Sequence, residues 1–290
     1  MVDKMKDDED WLYEIKPKGK LIDLNLREIW RYKDLLVLFV KRDIVTVYKQ
    51  TVLGPLWYLI QPLFTSVVFT LVFNTFANID TGAVPPFLFN LAGVTLWNYF
   101  KECLSTSSTT FTANAGLFGK VYFPRFIVPA SKVISGLFKY GIQMLIFVIF
   151  YAYFVFYKDA HIAPSYLVWL FPFCVINMAL LGLGFGMILS SLTTKYRDLT
   201  ILVSFGINLL MYLSAVMYPL SEAKIKSPAY AWIIEANPLA QTIELYRNVL
   251  LGADHIAFGG FITSFLISLI AFFVGLVVFN HTEKTFIDTV

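Results

Sequence analysis

The chain has 290 residues, of which 58% are hydrophobic and 17% aromatic, with a mean hydropathy of +0.67. Charged residues make up only 15% and the net charge is +3. A charge content so far below the ~25% of ordinary soluble domains excludes a water-soluble globular protein, and the small net charge gives no argument for nucleic acid. The composition indicates an all-α integral membrane protein, because backbone exposed to lipid must satisfy its hydrogen bonds within helices.

Residues 1–20 form a charged tail, with Trp11 and Tyr13 as its potential contact points. No secretory signal is expected, since the first long apolar run begins only near Leu53. Residues 21–52 are expected to form an amphipathic helix region on the cytoplasmic membrane surface. Leu26, Ile29 and Trp30 share one helical face, while Arg27, Glu28 and Arg31 share the other. Whether this region only anchors the chain or also docks a partner is left open by the pattern.

A membrane-crossing helix needs ~20 mostly apolar residues, and six such spans are predicted within residues 53–280. They are Leu53–Phe76, a second starting at Phe87, Val133–Tyr157, Tyr166–Leu192, Leu199–Pro219 and Phe258–Phe279. The second is apolar only to Phe100, so its length requires it to continue through Lys101, Glu102 and a Ser/Thr-rich run to Thr112. Gly54-Pro55 and Gln61-Pro62 predict a kinked first span, because each proline removes a helix hydrogen bond. Gly182, Gly184 and Gly186 predict close helix packing in the fourth.

The basic residues of the short loops set the orientation. Lys41, Arg42 and Lys49 precede the first span; Lys120, Arg125 and Lys132 lie in the 114–132 connector; Lys195 and Arg197 follow the fourth span. The opposite loops carry almost none. The positive-inside rule then places both termini, including a short tail at 281–290, in the cytoplasm. The loop at 221–257 lies outside and is too apolar to be free. Asn237 suits the N-cap, Pro238 the first helical position and Gly252 the C′ position, which predicts a helix over Pro238–Leu251. Glu244 and Arg247, spaced i, i+3, are able to pair on it. With the apolar stretch before it, this helix forms a re-entrant pair or lies flat at the interface.

Chemistry of its own is hard to find in the chain. Gly116, Gly119 and Lys120 look superficially like a phosphate loop, but the spacing fails and Val121 follows the lysine. His161, His255 and His281 are scattered, so no metal site is expected, and Cys103 and Cys174 read as small buried hydrophobes. Glu102 is the main acid within a span, a poor basis for a proton relay. Tyr58, Phe69, Phe73 and Phe76, with Trp57 and Gln61 on an adjacent stripe, and Asn208 and Tyr212 on the fifth span, offer a mixed aromatic and amide wall. Such a wall suits the apolar faces and hydroxyls of sugars, and equally suits rings that face lipid.

Four stretches, in order along Lys41–Gly252, resemble the permease subunits of bacterial ABC-type polysaccharide exporters, which serve O-antigen, capsule and teichoic acid. They are "KRDIVTVYKQTVLGPLWYLIQPLF", "FGKVYFPRFIVPASKVISGLFK", "KYRDLTILVSFGINLLMYLSAVMYPLS" and "NPLAQTIELYRNVLLG". The resemblance implies a homodimer that carries two copies of a separate ATPase subunit, which binds the ATP and Mg, so that this chain needs no cofactor of its own. It implies that Lys120, Val121, Tyr122, Phe123, Pro124 and Arg125 couple to that ATPase. It further implies a conduit for lipid-linked glycan at the dimer interface, lined by spans one and five, with Asn237, Pro238, Glu244 and Arg247 in a re-entrant gate. Two rival readings are a membrane-embedded glycosyl or acyl transferase and an ion-driven glycolipid flippase.

Overall fold

The computed structural model describes residues 30–49, 54, 56–196, 198–226, 228–252 and 258–286. Among them there are helices and turns but no strand. We number the helices α1 (Lys33–Lys49), α2 (Leu56–Phe69, continued by a π-helical stretch Thr70–Phe76), α3 (Pro86–Ser108), α4 (Thr110–Phe118) and α5 (Ile127–Tyr157). These are followed by α6 (Phe171–Lys195), α7 (Leu199–Leu213), α8 (Leu220–Lys226), α9 (Pro228–Glu235), α10 (Pro238–Leu251) and α11 (Phe258–Phe286). Leu26 and Ile29 of the expected amphipathic face, Arg197 and His255 lie outside the described residues.

Among the described residues, four helical stretches are long and apolar enough to cross a membrane: Leu56–Phe76, Ile127–Tyr157, Val168–Lys195 and Phe258–Glu283. The other two expected spans are helical but do not meet that standard. α3 does continue through Lys101 and Glu102 as length demanded, yet Asn90, Asn98 and those two charges dilute its hydropathy. α7 stops at Leu213, six residues short of Pro219, and its 15 residues make about 22 Å of helix against a ~30 Å hydrocarbon core. The chain breaks there because Ala215 adopts a positive φ of 51°.

α6 is the centre of the bundle, packed against α3 on one side and α11 on the other. The three glycines make this possible. A side chain at Gly182 or Gly186 would strike α3 at Cys103 or Ser107, and one at Gly184 would strike the α11 backbone at Ala271. Cys103 and Cys174 are buried and free, as expected of small hydrophobes. Of the core window of the fourth span 61% is buried, but only 11% of the first. α2 and α7 therefore hang on the outside of α3, with most of their apolar surface open in the single chain. α2 runs unbroken through Pro62; its irregular stretch is the π-helical Thr70–Phe76, where Asn90 of α3 donates to Thr70 Oγ1 (3.1 Å) and Asn74 Oδ1 (2.8 Å).

The expected α10 is found within its predicted limits. Asn237 Oδ1 accepts from Leu239 N at 3.0 Å, and Gly252 closes the helix in the left-handed conformation with φ 77°. Its side chains are buried among α3, α6 and α11, so it is part of the bundle and not a strand of loop laid over it.

Candidate functional site

The expected coupling segment spans 114–132, but α4 runs to Phe118 and α5 begins at Ile127, leaving Gly119–Phe126 as the turn between them. The six candidate residues divide sharply. Lys120, Val121 and Tyr122 are exposed, Tyr122 to 81%. Phe123 and Arg125 are buried, with Pro124 between them only partly covered. Phe123 packs edge-on to Phe39 of α1 (5.9 Å) and against Phe118 (5.8 Å). Arg125 donates from Nη1 to the Glu283 carbonyl at 2.9 Å, approaches the Glu283 carboxylate at 3.9 Å and lies over the Phe118 ring at 5.2 Å. Burial pulls its guanidinium below the usual arginine range, and Glu283 opposes that pull. The family resemblance implies an Arg125 that faces the ATPase partner. The structure turns it inward, where it fastens the connector to the far end of α11.

The interface helix reaches the same turn. Arg42 lies over the Phe39 ring at 4.7 Å, and Asp43 forms ion pairs with Arg42 and with Lys132 at the start of α5, both at 2.9 Å. Trp30 is 72% exposed and Arg31 is also exposed. α1 is thus joined to the connector by an aromatic contact and to α5 by an ion pair.

The aromatic wall expected on the spans splits into two. Tyr58, Phe69 and Phe73 are half-buried toward the protein, Phe69 and Phe73 meeting edge-on at 5.8 Å. Trp57, Gln61 and Phe76 on α2, and Asn208 and Tyr212 on α7, are open. They occupy two helices with few buried residues, Pro62 and Ser66 on α2 and Ile207 on α7, and among the described residues they stay uncovered.

At the other end of the bundle, Glu244 and Arg247 do not form the ion pair their spacing allows. Arg247 is 2% exposed and gives its donors to the carbonyls of Phe89 (3.2 Å), Ala215 (2.8 Å) and Val216, with its guanidinium 3.7 Å over the Phe89 ring. Asn237 Nδ2 takes the Leu213 carbonyl at 2.9 Å and Ser214 Oγ at 3.1 Å. The break in α7 leaves the carbonyls of Leu213, Ala215 and Val216 without continuing helix bonds, and Asn237 and Arg247 supply donors to them. Two further features carry no clear sequence signal: the buried Asn177–Thr242–Ser264 cluster, and the Glu102–Lys139 ion pair between α3 and α5.

Residues 34–251 match the ABC-2 type transporter model. The chain belongs to the ABC-2 transporter membrane family. An O-antigen export system permease protein RfbA of Klebsiella pneumoniae is 30% identical over 260 residues, covering 88% of this chain and 94% of that protein. A second from the same organism is 29% identical over 259 residues, with the same coverage. One from Myxococcus xanthus is 27% identical over 225 residues, covering 77% of this chain and 83% of the relative. As an ABC-2 permease the chain is a multi-pass transport subunit, and the family resemblance read from the four stretches holds.

Proposed function

We propose that this permease is the membrane half of an ATP-driven exporter that carries lipid-linked polysaccharide out across a bacterial inner membrane. It works as a homodimer with two copies of a separate ATPase subunit, which bind ATP and Mg. Both termini lie in the cytoplasm, on the side of the basic loops. The observation that carries this reading is the Lys120-Val121-Tyr122 tip, exposed on a turn whose Phe123 and Arg125 are locked inside. An exposed cation beside an exposed tyrosine on a rigid base is the form of an interface anchor. O-antigen export is what the curated relatives are named for, and it supports the choice of cargo.

The geometry gives the motor stroke a route. A push on the tip moves Phe123 against Phe39 and hence α1, moves Lys132 and α5 through Asp43, and moves α11 through Arg125. α1 leads into α2, the span with the most open surface. The dimer conduit then forms where Trp57, Gln61 and Phe76 of α2 and Asn208 and Tyr212 of α7 face the second copy. Asn237, Pro238, Glu244 and Arg247 hold the outer closure as a re-entrant helix. The ion-driven alternative needs Glu102 as a lone carrier, and its engagement by Lys139 weighs against that role.

The test is to purify the permease from its native membrane and reconstitute it in vesicles with lipid-linked glycan. The exporter reading expects a stoichiometric ATPase partner and glycan translocation only with ATP. A chain that comes out alone and transfers sugar or acyl groups without ATP overturns it.

A further inference from the structure

Glu102 is an ionisable group where spans normally carry none, and the coupling route makes no use of it. Three helices converge on it from around α3: α1 brings Arg42 and Asp43, α2 brings Tyr58, and α5 brings Lys132 and Lys139. Between these side chains lies a cavity of about 340 Å³, at the lower end of the range of small-molecule pockets. Lys139 is 12 residues past Ile127, about 18 Å along α5 from the connector, and Glu102 is six residues, about 9 Å, short of the end of α3. Charges placed so far along apolar helices are costly and mark binding or passage of an ion or polar group.

The charge balance of the cavity favours an anion. Three cations, Arg42, Lys132 and Lys139, face two carboxylates, Asp43 and Glu102. Lys139 pairs with Glu102 and lies 5.1 Å over the Tyr58 ring; Lys132 pairs with Asp43. Each ammonium has three donors, so each keeps donors beyond the one its carboxylate takes. The two lysines stand seven residues apart on α5, about 10 Å along one face, which is the reach of a phosphate or pyrophosphate and its counter-charges. A pair of ion pairs built only for stability would close on itself, but here space remains among them.

We propose that this cavity binds the phosphate of a lipid headgroup that enters from the bilayer beside the first span. Basic pockets between membrane helices on the cytoplasmic side recognise such headgroups, and this one lies on the side of the basic loops. Tyr58 forms the wall nearest the bilayer, next to the exposed Trp57 and Gln61, along which a lipid chain lies. Asp43 and Glu102 hold the lysines while the cavity is empty and compete with the phosphate when it arrives. Two lipids carry this chemistry: a resident anionic phospholipid, and the phosphate that joins the glycan to its lipid carrier. The second depends on the exporter reading above.

The sign of the carboxylate's effect distinguishes a phosphate site from a structural ion pair. The full-length permease in lipid nanodiscs is titrated with farnesyl pyrophosphate and with phosphatidylglycerol, with phosphatidylcholine as the zwitterionic control, and retained lipid is read by native mass spectrometry. Lys139→Gln and Lys132→Gln are each expected to weaken binding about fivefold, and Glu102→Gln to tighten it by a similar factor. Preference for farnesyl pyrophosphate identifies the carrier phosphate; preference for phosphatidylglycerol identifies a bilayer lipid. Should Lys139→Gln fail to assemble, Arg42→Gln at the exposed rim supplies the same expected loss. The proposal is overturned if neither anionic lipid binds better than phosphatidylcholine, or if Glu102→Gln weakens binding as Lys139→Gln does. Co-purification of the ATPase is scored separately, so failure of the exporter reading leaves these binding results standing.

Discussion

Replacing Arg247 with methionine deletes the guanidinium donors of the clamp at the end of α7 while keeping much of the side-chain volume over Phe89. Three carbonyls, of Phe89, Ala215 and Val216, then lose their partner in a buried site. Each lost bond costs about 1 kcal/mol net, and up to about 3 kcal/mol where the carbonyl stays desolvated. Relief of the desolvation of the guanidinium itself offsets part of this. The expected loss is about 3–5 kcal/mol, or roughly 6–10 °C in Tm at about 2 °C per kcal/mol for a chain of this size. Thermal unfolding of the detergent-purified protein, followed by size-exclusion fluorescence, measures it. Gly93 provides a cross-check, because a Cβ there would collide with the Arg247 guanidinium and come within 2.8 Å of the Val216 carbonyl. Gly93→Ala should therefore cost less in the Arg247→Met background than in the wild type. A Tm drop under about 2 °C for Arg247→Met, or a Gly93→Ala penalty unchanged by it, would refute the clamp.

Arg125→Ala removes the tie to Glu283, so limited proteolysis should cut the 119–126 turn faster and ATP hydrolysis should proceed with less export; unchanged cleavage and unchanged coupling would count against an inward anchoring role. Phe39→Ala strips the apolar contact between α1 and the connector and should cost about 3 kcal/mol, with faster amide exchange confined to α1 and the turn; exchange that does not change would remove α1 from the coupling route. Gly184→Val drives a side chain into the α11 backbone at Ala271 and should abolish stable purification, whereas Gly206→Ala, where a Cβ meets nothing, should purify normally.

The long-range order of the fold was legible where one segment carries its own instructions. Asn237, Pro238 and Gly252 bound α10 without help from any other element, and the Gly182, Gly184 and Gly186 row signals close packing without naming the partner helices. The continuation of α3 through Lys101 and Glu102 followed from length alone. What escaped was pairing across the chain. Nothing local says that Lys139 answers Glu102 from 37 residues away, or that Arg125 reaches Glu283 across 158. Loop cations counted for orientation look alike in sequence, yet Lys120 is exposed and Arg125 buried, because a turn pinned by Phe123 presents one and folds back the other. The early end of α7 was invisible for the same reason: Ala215 has no left-handed preference of its own, and the break persists because Asn237 and Arg247 bind the carbonyls it exposes.

The most direct test of the account replaces Lys120-Val121-Tyr122 with Gly-Ser-Gly, leaving Phe123 and Arg125 in place, and measures the ATPase that co-purifies. The expected result is a permease of unchanged Tm that has lost its ATPase partner and no longer exports. Stoichiometric ATPase on the variant, with normal ATP-driven export, would contradict the claim that this tip is where the motor engages the membrane subunit.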